Sequence, residues 1–180
     1  MENRNTLYKM TKTITHIEVP KEWESTNDWD SHRPALWLAV TKGGDKIWEV
    51  GCGEGSTKLL YDYCKANKKW FTSLETNKEW SAKIPQSFHV EDYIGVLKTY
   101  LPISILFVDC APAEIRKDII SEFKNDTDVI IVHDSEKSSQ FCYDLEPTLS
   151  QFEYRLDYEP VGKPHTTIIS RKINVCGWVD

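Results

Sequence analysis

Glycines stand at alternate positions directly after an acid, in Glu49-Val50-Gly51-Cys52-Gly53-Glu54-Gly55-Ser56-Thr57. A strand-like run from Ile47 to Val50 leads into them, and Leu59, Leu60 and Tyr63 follow at helical spacing. Glycine lets a turn bend sharply and lets a ligand approach the backbone closely. The free N–H groups that open the next helix favour an anionic group. This is how a doubly wound sheet holds a nucleotide-type cofactor at the end of its first strand. A dinucleotide site takes G-x-G-x-x-G, but here the third glycine comes one residue early and Ser56 stands in the last position. A P-loop takes G-x-x-x-x-G-K-[ST], which Gly55-Ser56-Thr57-Lys58 does not fit. A turn that bound nothing would gain little from three alternating glycines, which cost backbone entropy.

Ligands of open α/β sheets bind outside the carboxyl ends of the strands, and further ionisable residues fall at such ends. Glu75 closes the next strand-like run, 24 residues past Gly51. It can accept hydrogen bonds from ribose hydroxyls, or it can sit as a solvated acid at a helix N-terminus. Glu91-Asp92 follows a third, short run. Asp109, in Phe107-Val108-Asp109-Cys110-Ala111-Pro112, ends a fourth; it can face a ligand or cap the following helix. Arg116 sits early in that helix, where the dipole disfavours a cation; it can hold an acidic substrate or pair with an acid such as Glu114. His133-Asp134-Ser135-Glu136 ends a fifth run. A histidine is a natural base near neutral pH, and such bases contribute about 10²–10⁴-fold; the alternative is a buried histidine bonded to backbone. Asp109 and Asp134 can also share a divalent ion. Upstream, Asp28-Trp29-Asp30-Ser31-His32-Arg33-Pro34 gathers polar groups before a helix, where His32 and Arg33 can bind a ligand or serve as cap and surface charge. Trp23 and Trp29 can stack on a sugar or pack an arm against the domain.

The form Glu49-Val-Gly-Cys-Gly-Glu-Gly resembles the first motif of the class I S-adenosylmethionine (SAM) methyltransferases. With Asp28 to Pro34, Val108-Asp-Cys-Ala-Pro112 and Val132-His-Asp-Ser-Glu136, the chain resembles small stand-alone members of that family. The resemblance implies an α/β, Rossmann-like three-layer sandwich with a mostly parallel seven-stranded sheet and a C-terminal antiparallel strand. It implies S-adenosyl-L-methionine as cofactor, with Gly51, Cys52, Gly53, Gly55 and Ser56 forming the floor of its site. Glu49 would lie beneath, near the methionine amino group, or brace the turn. Glu75 and Thr76 would meet the ribose, Glu91 and Asp92 the adenine, and Asp109 the methionine portion and sulfonium. Catalysis would fall to His133, Asp134 and Asp109, and substrate binding to His32, Arg33 and Arg116. Catechol-type O-methyltransferases carry acids after the same two strands as Asp109 and Asp134. Their second site reads Asp-Asn where this chain has Asp134-Ser135, so no metal is expected, with these two acids the candidates if a divalent ion binds. No Asp/Asn-Pro-Pro-Tyr tetrad follows the fourth strand, which points toward O-methylation of a small molecule or sugar. A non-catalytic SAM-binding module acting in a complex stays open, as does a nicotinamide-dependent oxidoreductase, against which the glycine spacing counts.

Alternating strands and helices must position these residues, which argues for a parallel sheet with helices on both faces. Strands are predicted at Lys46–Val50, Trp70–Leu74, Ser87–Val90, Ser104–Val108 and Val129–Val132, with a terminal β pair at Phe152–Tyr158 and Thr166–Ser170. Helices are predicted at Ser31–Val40 with Ser31 as cap, Ser56–Ala66, Lys78–Ile84, Ile94–Tyr100, Glu114–Phe123 and Lys137–Leu149. Residues 1–30 read as an arm laid over a domain of residues 31–180, with a short strand at Ile14–Val19. The 180 residues suffice for one domain with a real core. A net charge of −6 with scattered lysines argues against a nucleic-acid partner. Five cysteines without a C-x-x-C pair argue for a reducing interior and inert, packed thiols. The polar N-terminus and the lack of a long apolar run lead to the expectation of a cytoplasmic protein with no membrane contact.

Overall fold

The computed structural model describes residues 9–136 and 143–179. The sheet is built from β1 (Met10–Ile14), β2 (Lys46–Val50), β3 (Trp70–Glu75), β4 (Ser87–His89), β5 (Ile103–Val108), β6 (Thr127–His133), β7 (Tyr154–Tyr158) and β8 (Thr166–Ser170). The helices are α1 (Arg33–Lys42), α2 (Thr57–Ala66), α3 (Lys78–Ser81), α4 (Tyr93–Lys98), α5 (Ile115–Phe123) and α6 (Glu146–Leu149). Strand order is β1-β7-β8-β6-β5-β2-β3-β4. β8 runs antiparallel between β6 and β7, and every other pairing is parallel.

The expected seven strands are therefore eight. The extra strand comes from the arm, and it lies at Met10–Ile14 instead of the expected Ile14–Val19. Met10 through Ile14 pair in register with Tyr154 through Tyr158, so the arm extends the sheet beyond β7. Of the two apolar residues that suggested the later strand, Ile14 is the last residue of β1 and Ile17 is buried in the core.

The central strands are apolar on both faces, as a sheet covered by helices on each side requires. Ile47, Ile105, Phe107, Val129 and Ile131 face one core with α1 and α2. Their neighbours Trp48, Val50, Leu106, Val108, Ile130 and Val132 face the other, with α4, α5 and α6. The arm enters the first core through Trp23, which is 2% exposed. Its ring lies 5.3 Å from Trp37 of α1 and 5.6 Å from Tyr63 of α2. The C-terminal part of the predicted helix 137–149 survives as α6, while Lys137 to Cys142 lie outside the described residues.

Because Trp23 closes this aromatic cluster, Trp23→Ala should lower the unfolding free energy by about 3–5 kcal/mol. Urea denaturation measures this, and a loss below about 1 kcal/mol would place Trp23 outside the core.

Candidate active site

The glycine turn is stitched to both neighbouring strands. The Gly51 amide donates to the Leu74 carbonyl at 2.9 Å, and the Asp109 amide donates to the Val50 carbonyl at 2.9 Å. Gly51 has φ +88°, and a Cβ there would lie 2.3 Å from the Asp109 carbonyl oxygen. Positive φ and close approach together leave only glycine. Gly55 is held from the other side, since a Cβ would come within 2.8 Å of the Trp29 carbonyl oxygen. Gly53 differs: among the described residues beyond its chain neighbours, nothing lies closer than 3.9 Å to a Cβ built on it.

Glu49 lies wholly buried beneath the turn and accepts from three hydroxyls. Thr57 Oγ1 is at 2.7 Å, Ser73 Oγ at 2.5 Å, and Ser56 Oγ completes the set. Burial pushes its carboxyl up to about 7 against the pull of those hydroxyls. Glu75 is also buried and accepts from the Cys52 amide at 3.2 Å and the Asn77 amide at 2.7 Å. Tyr93 Oη lies 3.5 Å from the same carboxylate and accepts from the Thr76 amide at 3.1 Å. Asp92 caps α4, accepting from the Ile94 and Gly95 amides at 3.0 Å each. Glu91 is exposed, 3.8 Å from His89 Nε2.

The ends of β5 and β6 meet across Arg116. Its Nε donates to the Cys110 carbonyl at 2.9 Å, and Nη1 donates to the His133 carbonyl at 2.8 Å and to Asp134 Oδ2 at 3.4 Å. Nη2 donates to Asp109 Oδ1 at 3.0 Å. Arg116 is 5% exposed, and Tyr143 lies against its guanidinium, 4.8 Å to the ring centre. His133 has both ring nitrogens engaged: Nδ1 lies 3.3 Å from Asp109 Oδ2 and Nε2 lies 2.9 Å from Ser31 Oγ. Burial pulls the His133 imidazole down, but Asp109 outweighs it and the net shift is upward. Burial raises the Asp109 carboxyl, yet His133 and Arg116 hold it down to about 2. Burial leaves Asp134 above the ordinary carboxylate range. Asp134 itself sits at φ +52°, a left-handed turn out of β6 that aspartate tolerates better than most residues.

A cavity of about 610 Å³ joins these groups. Cys52, Gly53, Gly55 and Ser56 form one side; Asp109, Arg116, His133 and Asp134 form another; His32, Trp29 and Trp80 complete it. Glu49, Gly51, Glu75, Thr76, Glu91 and Asp92 do not line it. Trp80 stands on the Glu75 flank, its Nε1 donating to the Cys52 carbonyl at 2.7 Å. Arg33 also stays outside the cavity. Its Nε donates to the Gly55 carbonyl at 2.8 Å, and Nη1 pairs with Asp30 at 3.0 Å. Asp30 in turn accepts from Ser25, Thr26 and Asn27, which locks the arm to the glycine turn. A second cleft, about 440 Å³, is lined by Ile17, Pro34, Tyr158, Val161 and neighbours, none of them a predicted site residue.

Several contributors were not legible. Ser31 reads as a helix cap, but α1 starts at Arg33 without a side-chain cap, and the Ser31 hydroxyl goes to His133. Ser73, Tyr93 and Trp80 carry no spacing signal, because sheet register and loop packing bring them in. The four described cysteines are free and buried. Burial pushes the Cys52 thiol to about 11 and Cys110 to about 12, so neither is a thiolate nucleophile.

No family model and no curated protein matches the sequence. Among solved structures, the chain is similar to monomeric WbdD at 13% identity and TM-score 0.49, covering 71% of this chain and 37% of that one. WbdD is described as a bifunctional kinase-methyltransferase. Spermidine synthase from Thermotoga maritima matches at 10% identity and TM-score 0.48, covering 77% and 57% of the two chains. The METTL16 MTase domain matches at 13% identity and TM-score 0.46, covering 88% and 74%. This chain thus spans little more than a third of the WbdD chain, about 37%. No helix among the described residues is long and apolar enough to cross a membrane.

Glu49 titrates from an ordinary value of 4.5 to about 7 in the folded chain, so the fold binds an extra proton between those values. Its contribution is complete below pH 4.5 and is lost as pH rises through 7, with a slope no steeper than about 1.4 kcal/mol per unit. Melting curves of Glu49→Gln and the wild type should therefore shift in favour of the variant between pH 5 and pH 8. A constant difference would show that Glu49 keeps its ordinary value.

Proposed function

We propose that this chain is a SAM-dependent methyltransferase acting on a hydroxyl oxygen of a small molecule or sugar. The observation that carries the reading is one cavity in which Cys52 to Ser56 of the glycine turn face Asp109, His133 and Asp134. The residues fit the cofactor. The fold leaves the space at Gly53 open, and a bound molecule lying against the backbone explains a glycine there. When bound, SAM supplies an electrophilic methyl group on a sulfonium. Gly51, Cys52, Gly53, Gly55 and Ser56 form its floor in this reading, supported from beneath by Glu49. Glu75 and Thr76 serve the ribose, Glu91 and Asp92 flank the adenine, and Asp109 faces the sulfonium.

Methyl transfer is an in-line displacement, in which the acceptor O–C bond forms as the S–C bond breaks. Alignment supplies much of the rate, and a hydroxyl acceptor must lose its proton. Both nitrogens of His133 already have partners, so we assign that proton to Asp134, whose contacts of 3.4 and 3.7 Å are the loosest in the cluster. His133 and Arg116 then act as positioning residues, as do His32 and Arg33. Asp28, Glu54, Asp109 and Asp134 line the cavity against one guanidinium whose donors already have acceptors. That balance favours a cationic cofactor and a neutral acceptor over an anionic one. Trp29, 86% exposed at the cavity, offers a flat face to a sugar ring. Residues 31–180 form the cofactor-binding domain in this reading, residues 1–30 the arm, and the reduced thiols suit the cytoplasm.

The demethylated cofactor should raise the melting temperature, with a gain of about 2.7 kcal/mol at a hundredfold excess over Kd. Gly53→Ala should fold to within about 1 kcal/mol of the wild type yet lose this shift, and Glu75→Ala should lose it too. An unchanged shift in both variants would overturn the cofactor assignment. Asp134→Asn should keep the shift and reduce turnover on an accepted substrate by about 10²–10⁴-fold; full turnover would remove Asp134 as the base.

A further inference from the structure

His32 is 1% exposed, and neither ring nitrogen has a hydrogen-bond partner among the described residues. A buried polar atom without a partner costs about 1–3 kcal/mol, and such an atom calls for an explanation, an ion being one. With neither nitrogen engaged among the described residues, the ring has a lone pair free for a ligand. The ring lies 4.6 Å from that of His133, and both line the cavity. One ligand atom each from His32, Asp109 and His133 lie within 4.8 Å of one another.

We propose that His32, Asp109 and His133 form a site for a divalent first-row transition ion of the zinc type, with an open position toward the cavity. Two imidazoles and one carboxylate are a donor set for such ions, whereas magnesium and calcium prefer oxygen alone. The surrounding contacts have the form that metal ligands require, in which each ligand is held by an outer partner. Ser31 Oγ, 2.9 Å from His133 Nε2, can accept the Nε2 proton and leave Nδ1 for the ion. Arg116 holds Asp109 by Oδ1, while Oδ2 lies 3.3 Å from His133 Nδ1, a contact that an ion bound by both atoms would replace. Asp109 and Asp134 against Arg116 leave one carboxylate in excess, and an ion taken up at His133 displaces any proton held at Nδ1. The site differs from an ion shared by Asp109 and Asp134, because the Arg116 guanidinium already bridges those two carboxylates. It shares Asp109 with the proposed cofactor site, and ion uptake is read without cofactor, so the two readings fail separately.

Cobalt(II) is the probe, added to the full chain after chelator dialysis and followed by visible absorption and calorimetry. One equivalent should bind with the ligand-field bands of an imidazole site and be displaced by zinc. His32→Gln should reduce affinity at least tenfold, and Ser31→Ala about 10–100-fold at unchanged stoichiometry. Asp134→Asn should keep the ion. No uptake by the wild type, or uptake that survives His32→Gln, overturns the proposal, as does loss with Asp134→Asn while Ser31→Ala binds normally. Should His32→Gln fail to fold, the Ser31→Ala and Asp134→Asn arms decide: Ser31→Ala binding as tightly as the wild type overturns it.

Discussion

The site depends on a buried guanidinium. Arg116 reaches from the first turn of α5 to the carbonyls that end β5 and β6 and to the carboxylates that follow them. Two acids at neighbouring strand ends would repel each other, and a buried cation would be costly alone. Together they set the spacing of Asp109, His133 and Asp134. Such a group adds little net stability compared with an apolar substitute, so its role lies in geometry: it holds the polar wall of the cavity open and in register.

The opposite wall is fixed by backbone contact. Gly51 lets the turn after β2 press against the backbone of Asp109, so the glycine loop and the acid at the end of β5 form one unit. The arm secures the outer side, as Arg33 joins the Gly55 carbonyl to Asp30, and Asp30 gathers the amides and hydroxyls of residues 25–27. The arm that begins as an edge strand thus ends as part of the site, contributing Asp28 and Trp29 and leading directly into Ser31 and His32.

Much of the sheet was legible because apolar runs bounded by turn residues have few other readings. The strands at Lys46–Val50 and Thr166–Ser170 match the observed limits, and the antiparallel insertion of the last strand follows the methyltransferase resemblance. The arm was less legible. Its edge strand, Met10–Ile14, is exposed over much of its length, so no period of apolar residues marks it. Ser31 looked like a cap because serine before a helix usually is one, and only packing against β6 gives its hydroxyl a different partner.

The sequence by itself determined the order of strands and helices, the glycine turn and the placement of Glu49, Glu75, Asp109 and His133 at strand ends. Those are local properties, set by side-chain period and by the backbone freedom of glycine. Which polar groups meet was decided only by tertiary structure. Arg116 joins Asp109 to Asp134, 25 residues apart in the chain, and His133 lies between Ser31 and Asp109. Parallel pairing brings residues distant in sequence to the same sheet edge. Burial then decides which of them carry charge, and no spacing rule encodes either.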